Sequence, residues 1–276
     1  IDFLELSGDW RVLHKTRYVQ DRMAKVGADQ TAYELIARAL GYRPFTDNFE
    51  RLACAVPYDR ALQLARQEPF LLEATLLHLG GLLPTNTNTE DELPPHGERL
   101  LRLREAHLPN LSALDMTWPL ASVRPNNYPS RRMAGLASLL VRVASDGLAG
   151  TLERLWKTHD SPIALRRTFE GLFPNAMGFW ATHHTLTANA MPSATSPVGT
   201  GRVRSIIGNV FVPLALAQAR NAGQRSWEDQ IFDFYHRLPM EPDNQIYRRM
   251  VPRILGDFKT RFNFQKQQGL LQLHED

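Results

Sequence analysis

The segment Gly201-Arg-Val-Arg-Ser-Ile-Ile-Gly-Asn-Val-Phe-Val-Pro-Leu-Ala-Leu-Ala-Gln-Ala-Arg-Asn-Ala222 decides the fold class. Its apolar residues Ile206, Ile207, Val210, Phe211, Leu214 and Ala217 recur every three or four positions, the spacing of one helix face, and strand-like alternation is missing. Pro213 removes a backbone donor inside this run and predicts a kink. Asn209 lies among apolar neighbours, where its amide must be satisfied, and reads as a structural organiser of that kink.

Working outward, the same period recurs. Residues 30–40 place Tyr33, Ile36, Ala37 and Leu40 on one stripe, with Gly41 where a helix C-cap belongs. Phe49, Leu52, Ala53 and Val56 follow up to Pro57, and Asp59 reads as the N-cap of the next turn. Residues 68–80 form the most apolar helix, closed by Gly80 and Gly81. Residues 84–97 are polar, acidic and turn-rich, the composition of an exposed loop. A helix is expected over 98–107. The prolines between 109 and 130 then predict a largely extended segment. Met133, Leu136, Leu139, Leu140 and Val143 mark a helix over 131–145, and further helices are read over 148–158, 161–173, 226–238, 243–255 and 259–273. The whole predicts an all-α, irregular multi-helix bundle of about ten to twelve helices, in one domain or two packed lobes, 1–108 and 109–276.

Composition narrows the class. The 276 residues are 43% hydrophobic and 22% charged, ordinary for a globular chain that buries a full core. The single cysteine, Cys54, excludes an internal disulfide framework and a polythiolate metal site, and it favours a cytoplasmic setting. No apolar run approaches the roughly 18 residues of a membrane span; Glu73, His78 and Gln218 break the nearest candidates. Residues 101–220 carry 13 Lys+Arg against 6 Asp+Glu, whereas residues 1–100 carry 11 against 15, so the positive field lies in the middle of the chain.

Four constellations bear chemistry. The first is Arg124-Pro-Asn-Asn-Tyr-Pro-Ser-Arg-Arg132, which reads as a proline-fixed entry into a helix N-capped by Ser130. Its arginines serve either as structural caps and ion pairs or, with the free N–H groups of the helix start, as an anion clamp. The second is His183-His184, followed by Gly199-Thr-Gly-Arg202-Val-Arg204. Adjacent histidines cannot share a helix face as a metal pair, so no metal is assigned. The glycines match only the opening of a dinucleotide fingerprint, without a preceding strand, and no cofactor is assigned. The third is Asn209, which with Asn126, His183 and His184 could line a pocket. The fourth, Glu241-Pro-Asp-Asn244, reads as a helix start capped by Asp243.

Five separated blocks resemble, in order, the bacterial family catalogued as domain of unknown function 2851. They are Tyr33 to Tyr42, Glu73 to Pro84, Arg124 to Arg131, Gly201 to Pro213 and Arg237 to Asn244. The resemblance implies a longer protein, with an upstream region similar to the acidic core of restriction-endonuclease-like nucleases and a cysteine-rich tail. This chain would then be its helical part, starting after the first and ending before the second, with catalytic carboxylates elsewhere. The expected function is a non-catalytic helical module of a nuclease-like protein, binding phosphate backbone through Arg124, Arg131, Arg132, Arg202 and Arg204. On that reading, charge reversal at Arg131 and Arg132 weakens binding without unfolding the chain. The alternative is a protein-interaction or oligomerisation scaffold in which these arginines are structural. An enzyme with a pocket around the two histidines is the third possibility.

Overall fold

The computed structural model describes residues 2–84, 93–121, 123–159, 161–241, 245–256 and 261–275. Fourteen α-helices and no β-strands occur among them; an isolated antiparallel bridge joins Pro239 and Asn263. The chain divides into two compact units. Residues 1–31, 152–168 and 204–276 form one; residues 32–151 and 169–203 form the other. The division therefore falls elsewhere than between 108 and 109, because the chain leaves the first unit after one helix and returns to it twice.

The first unit is built on α1 (Asp2–Val26), α11 (Val212–Asn221), α12 (Arg225–Arg237), α13 (Gln245–Leu255) and α14 (Phe264–Glu275). Helices α1 and α14 cross at Gly8 and Gly269. A Cβ on Gly269 would overlap the Leu4 carbonyl, and one on Gly8 the Gln265 carbonyl, so the two backbones approach to a distance that only glycine permits. Leu4, Met250 and Leu270 pack beside this crossing, and Tyr235 closes it by donating its hydroxyl to Gly8 O at 3.0 Å.

The second unit is organised around α4 (Leu71–Leu79), the helix expected over 68–80, all nine residues of which are buried. Helices α3 (Tyr58–Gln67), α5 (Pro95–His107) and α6 (Pro129–Arg142) cover it. Among the described residues the proline-rich stretch from 109 to 128 is non-helical, as expected, apart from a 3-10 turn at Pro125–Asn127 flanked by extended Arg124 and Tyr128. It is pinned by Trp118, whose indole N–H donates to Gly80 O at 2.7 Å and whose ring packs against Phe45 and Phe49. Helix α2 (Ala28–Ala55) breaks at Tyr42 (φ 55°, ψ 165°), one residue past the expected cap at Gly41. Gly41 is still required there, since a Cβ would stand 2.8 Å from the Thr46 Cα as the chain folds back.

Several local readings are corrected. α3 begins at Tyr58 behind Pro57, so Asp59 lies in its first turn and does not cap it. The long run 201–222 is not one helix but α10 (Thr200–Ile206), a π-helical turn over Ile207–Phe211, and α11. Val212 N–H closes the π turn on Ile207 O, so Pro213, which lacks an N–H, falls in the first turn of α11, and Gly208 within the π turn lies against the Phe264 ring. The expected loop tip 85–92 and the cap at Asp243 lie outside the described residues.

Candidate functional site

Helix α6 begins at Pro129, with Tyr128 at the N-cap position and no side-chain cap. Ser130 is not the cap: its hydroxyl donates to the His184 carbonyl, because Ser130 already lies inside the helix. Arg131 and Arg132 follow in the first turn and are both buried, at 0% and 5% exposure.

The two arginines are used differently. Arg131 Nη2 donates to Thr195 O (2.9 Å), Thr195 Oγ1 (2.8 Å) and Ser196 O (3.0 Å), and Nη1 reaches His183 O at 3.5 Å. Thr195 Oγ1 in turn donates to Asn126 Oδ1 at 3.1 Å. Arg131 thus stitches the irregular chain after α9 (Phe179–Thr182) onto α6, and Gly135, one turn on, lets Val198 pack against the helix backbone. Arg131 is accordingly no part of a solvent-facing basic surface, and reversing its charge would unfold this region, contrary to the expectation from sequence.

Arg132 reaches back over the helix start. Its Nη2 donates to Asn127 Oδ1 at 2.6 Å, while its buried Nη1 has no acceptor. Burial, then Arg202, then Arg131 push its pKa down to about 10, and no carboxylate among the described residues offsets them. Arg202 lies on α10 with its guanidinium 4.8 Å from the Tyr42 ring centroid, and Arg124 is exposed just before the 3-10 turn. His184 flanks the same helix start: its ring stands edge-on to Tyr128, its Nδ1 is buried without a partner, and burial, Arg131 and His183 lower its pKa. His183 stacks on Phe179, which stacks in turn on His96.

The second unit therefore brings together Arg124, Asn126, Arg131, Arg132, His183, His184 and Arg202. Arg204 and Asn209 belong to the first unit. None of the four residues proposed to line a pocket lines either of two surface clefts among the described residues. One of these is bordered by Asp2, Asp9 and His236, the other by His78, Leu83 and Ala113.

Two polar centres escape the sequence reading. In the second unit Glu73, buried in α4, accepts from His96 Nε2 and Trp180 Nε1, both at 2.7 Å. A carboxylate inside the most apolar helix was the available signal for this pair. In the first unit Lys15 Nζ donates to Asn209 Oδ1 and, at 3.0 Å, to Gln268 Oε1. Asn209 Nδ2 donates to Ser205 O (3.0 Å) and Glu241 Oε1 (3.3 Å), so Asn209 organises the π turn around a lysine. Lys15 stands between Val12 and Val19 in the inward register of α1, a position readable only once that helix is placed.

Burial, followed by Arg11, lowers the Lys15 pKa from 10.5 to about 7. Between these values the unfolded chain holds the extra proton, so stability should rise with pH at a slope approaching about 1.4 kcal/mol per pH unit. Burial raises the pKa of Tyr33 and Tyr235, so above pH ~10 the unfolded chain loses protons that the folded chain keeps, and stability should fall. Urea midpoints from pH 7 to 10 should climb for the native chain and stay nearly flat for Lys15→Met.

Residues 2–244 match the family model described as "Protein of unknown function (DUF2851)". No curated protein and no solved structure matches the chain. With the match spanning most of its length, the chain belongs to the DUF2851 family.

Proposed function

We propose that the chain is a non-catalytic helical module that binds nucleic acid by its phosphates at the start of α6. It would act in the bacterial cytoplasm and position substrate for a nuclease-like protein whose chemistry lies in other residues. The observation that carries this reading is Arg132: a buried guanidinium nitrogen without an acceptor, under the field of two further guanidiniums that no carboxylate among the described residues offsets. An unused buried donor under the field of neighbouring guanidiniums supports an anion as the missing partner. In the first turn Pro129 carries no N–H and Arg132 N already donates to Tyr128 O at 3.3 Å, so the main-chain donors left for an anion are those of Ser130 and Arg131.

Fluorescence anisotropy against short single- and double-stranded DNA and RNA over a salt series tests this. Log affinity should fall linearly with log salt. The Arg124→Glu/Arg202→Glu variant should bind more weakly, with a slope reduced by about 2. A folded chain that binds none of these, or binds without salt dependence, overturns the reading.

A second reading is favoured by α1, whose outward face exposes Phe3 (64%), Leu6 (66%) and Trp10 (55%) at helical spacing. Such a stripe suits a protein-interaction or oligomerisation scaffold. Light scattering that shows a dimer, reverting to monomer on Trp10→Glu, would support it.

A further inference from the structure

We infer that the start of α6 is a phosphate-monoester site, which in a nucleic acid receives the terminal phosphate of a strand in preference to a phosphodiester within it. The inference rests on the nucleic-acid reading above and deepens it.

Three features of the site set the ligand class. The first is its donor set. Arg132 Nη1 and His184 Nδ1 are both buried without partners at one helix start: Arg132 reaches back to Asn127, and His184 is held there by Ser130 and Tyr128. With the N–H groups of Ser130 and Arg131, these groups make a donor set that suits a group with three terminal oxygens. A phosphodiester has only two.

The second is access. Arg132 is 5% exposed, so a phosphate that reaches Nη1 must enter past the half-buried Asn127 and the exposed turn Arg124–Asn126. A monoester carries one substituent and can enter end-on. A diester carries a chain on both sides and would have to bury both.

The third is charge. Arg202 and Arg131 both bear on Arg132, and among the described residues no carboxylate offsets them there. A monoester carries about −1.5 to −2 at neutral pH and offsets the field on Arg132 better than the single charge of a diester.

The test uses the full chain and three single strands of one sequence, ending in a 5′-phosphate, a 3′-phosphate or hydroxyls only, with inorganic phosphate as competitor. At least one phosphorylated strand should bind roughly tenfold more tightly than the hydroxyl strand. That advantage should disappear in Arg132→Met, and inorganic phosphate should erase it in the native chain. If Arg132→Met does not fold, Arg132→Lys keeps the charge, lacks the planar fork and should lose the same advantage.

Equal, salt-dependent binding of all three strands overturns the monoester site and leaves the nucleic-acid reading standing. Inorganic phosphate that binds through Arg132 when no strand binds supports the monoester site and overturns the nucleic-acid reading. Binding of neither strands nor phosphate overturns both.

Discussion

Replacing Arg131 with methionine is expected to destabilise the second unit by about 3–5 kcal/mol, measured by urea unfolding. Methionine keeps much of the volume, so the cost is not chiefly a cavity. It arises because Thr195 O and Ser196 O lose their charged donor and stay partly buried beside α6. Exchanging a whole buried polar cluster for apolar groups can be neutral, but here only the donor is removed and the acceptors remain. Hydrogen exchange should quicken first over residues 183–196, the stretch that Arg131 holds. A near-native urea midpoint would show that this stretch is fastened by its other contacts.

Replacing Gly269 with valine should cost the first unit about 3 kcal/mol or more. Helix propensity alone points the other way, since glycine in a helix interior is worse than alanine by about 0.8–1.0 kcal/mol. The crossing decides the sign. Any Cβ at 269 meets the Leu4 carbonyl, which is backbone and cannot rotate aside, so α1 and α14 must separate. Separation would also loosen the Tyr235 bond to Gly8 and the Arg11 bond to Gln268 (3.2 Å). Gly269→Ala should show the same sign at smaller size, and a stabilised alanine variant would contradict the close crossing.

The helices were legible because burial imposes a 3.6-residue period wherever one face is covered. The stripes read at Ile206, Ile207, Val210, Phe211, Leu214 and Ala217 and at Met133, Leu136, Leu139, Leu140 and Val143 are all buried, although both segments are covered on nearly every face. The interleaving of the two units was not legible, because periodicity reports that a face is covered and not which helix covers it. The division of labour between Arg131 and Arg132 escaped for a related reason. Arg132 stands four residues before Leu136 and so continues the buried stripe of α6, while Arg131 precedes Gly135 on a second buried face lined by small residues. Reading arginine as a surface residue hid both signals. Lys15 and Glu73 escaped in the same way, as charged residues in inward-facing registers whose partners, Asn209, Gln268, His96 and Trp180, lie far away in sequence.

On the proposed function, of two adjacent buried arginines Arg131 spends both of its terminal nitrogens on the fold, whereas Arg132 keeps Nη1 for an anion. Thermal unfolding of the native chain, Arg131→Met and Arg132→Met, each with and without inorganic phosphate, tests it most directly. A ligand that binds only the folded state raises its Tm. The account predicts that Arg131→Met lowers Tm strongly in buffer, whereas Arg132→Met stays close to the native value and loses the rise that phosphate gives the native chain. An Arg132→Met variant as unstable as Arg131→Met, or one that keeps the full phosphate-dependent rise, would contradict it.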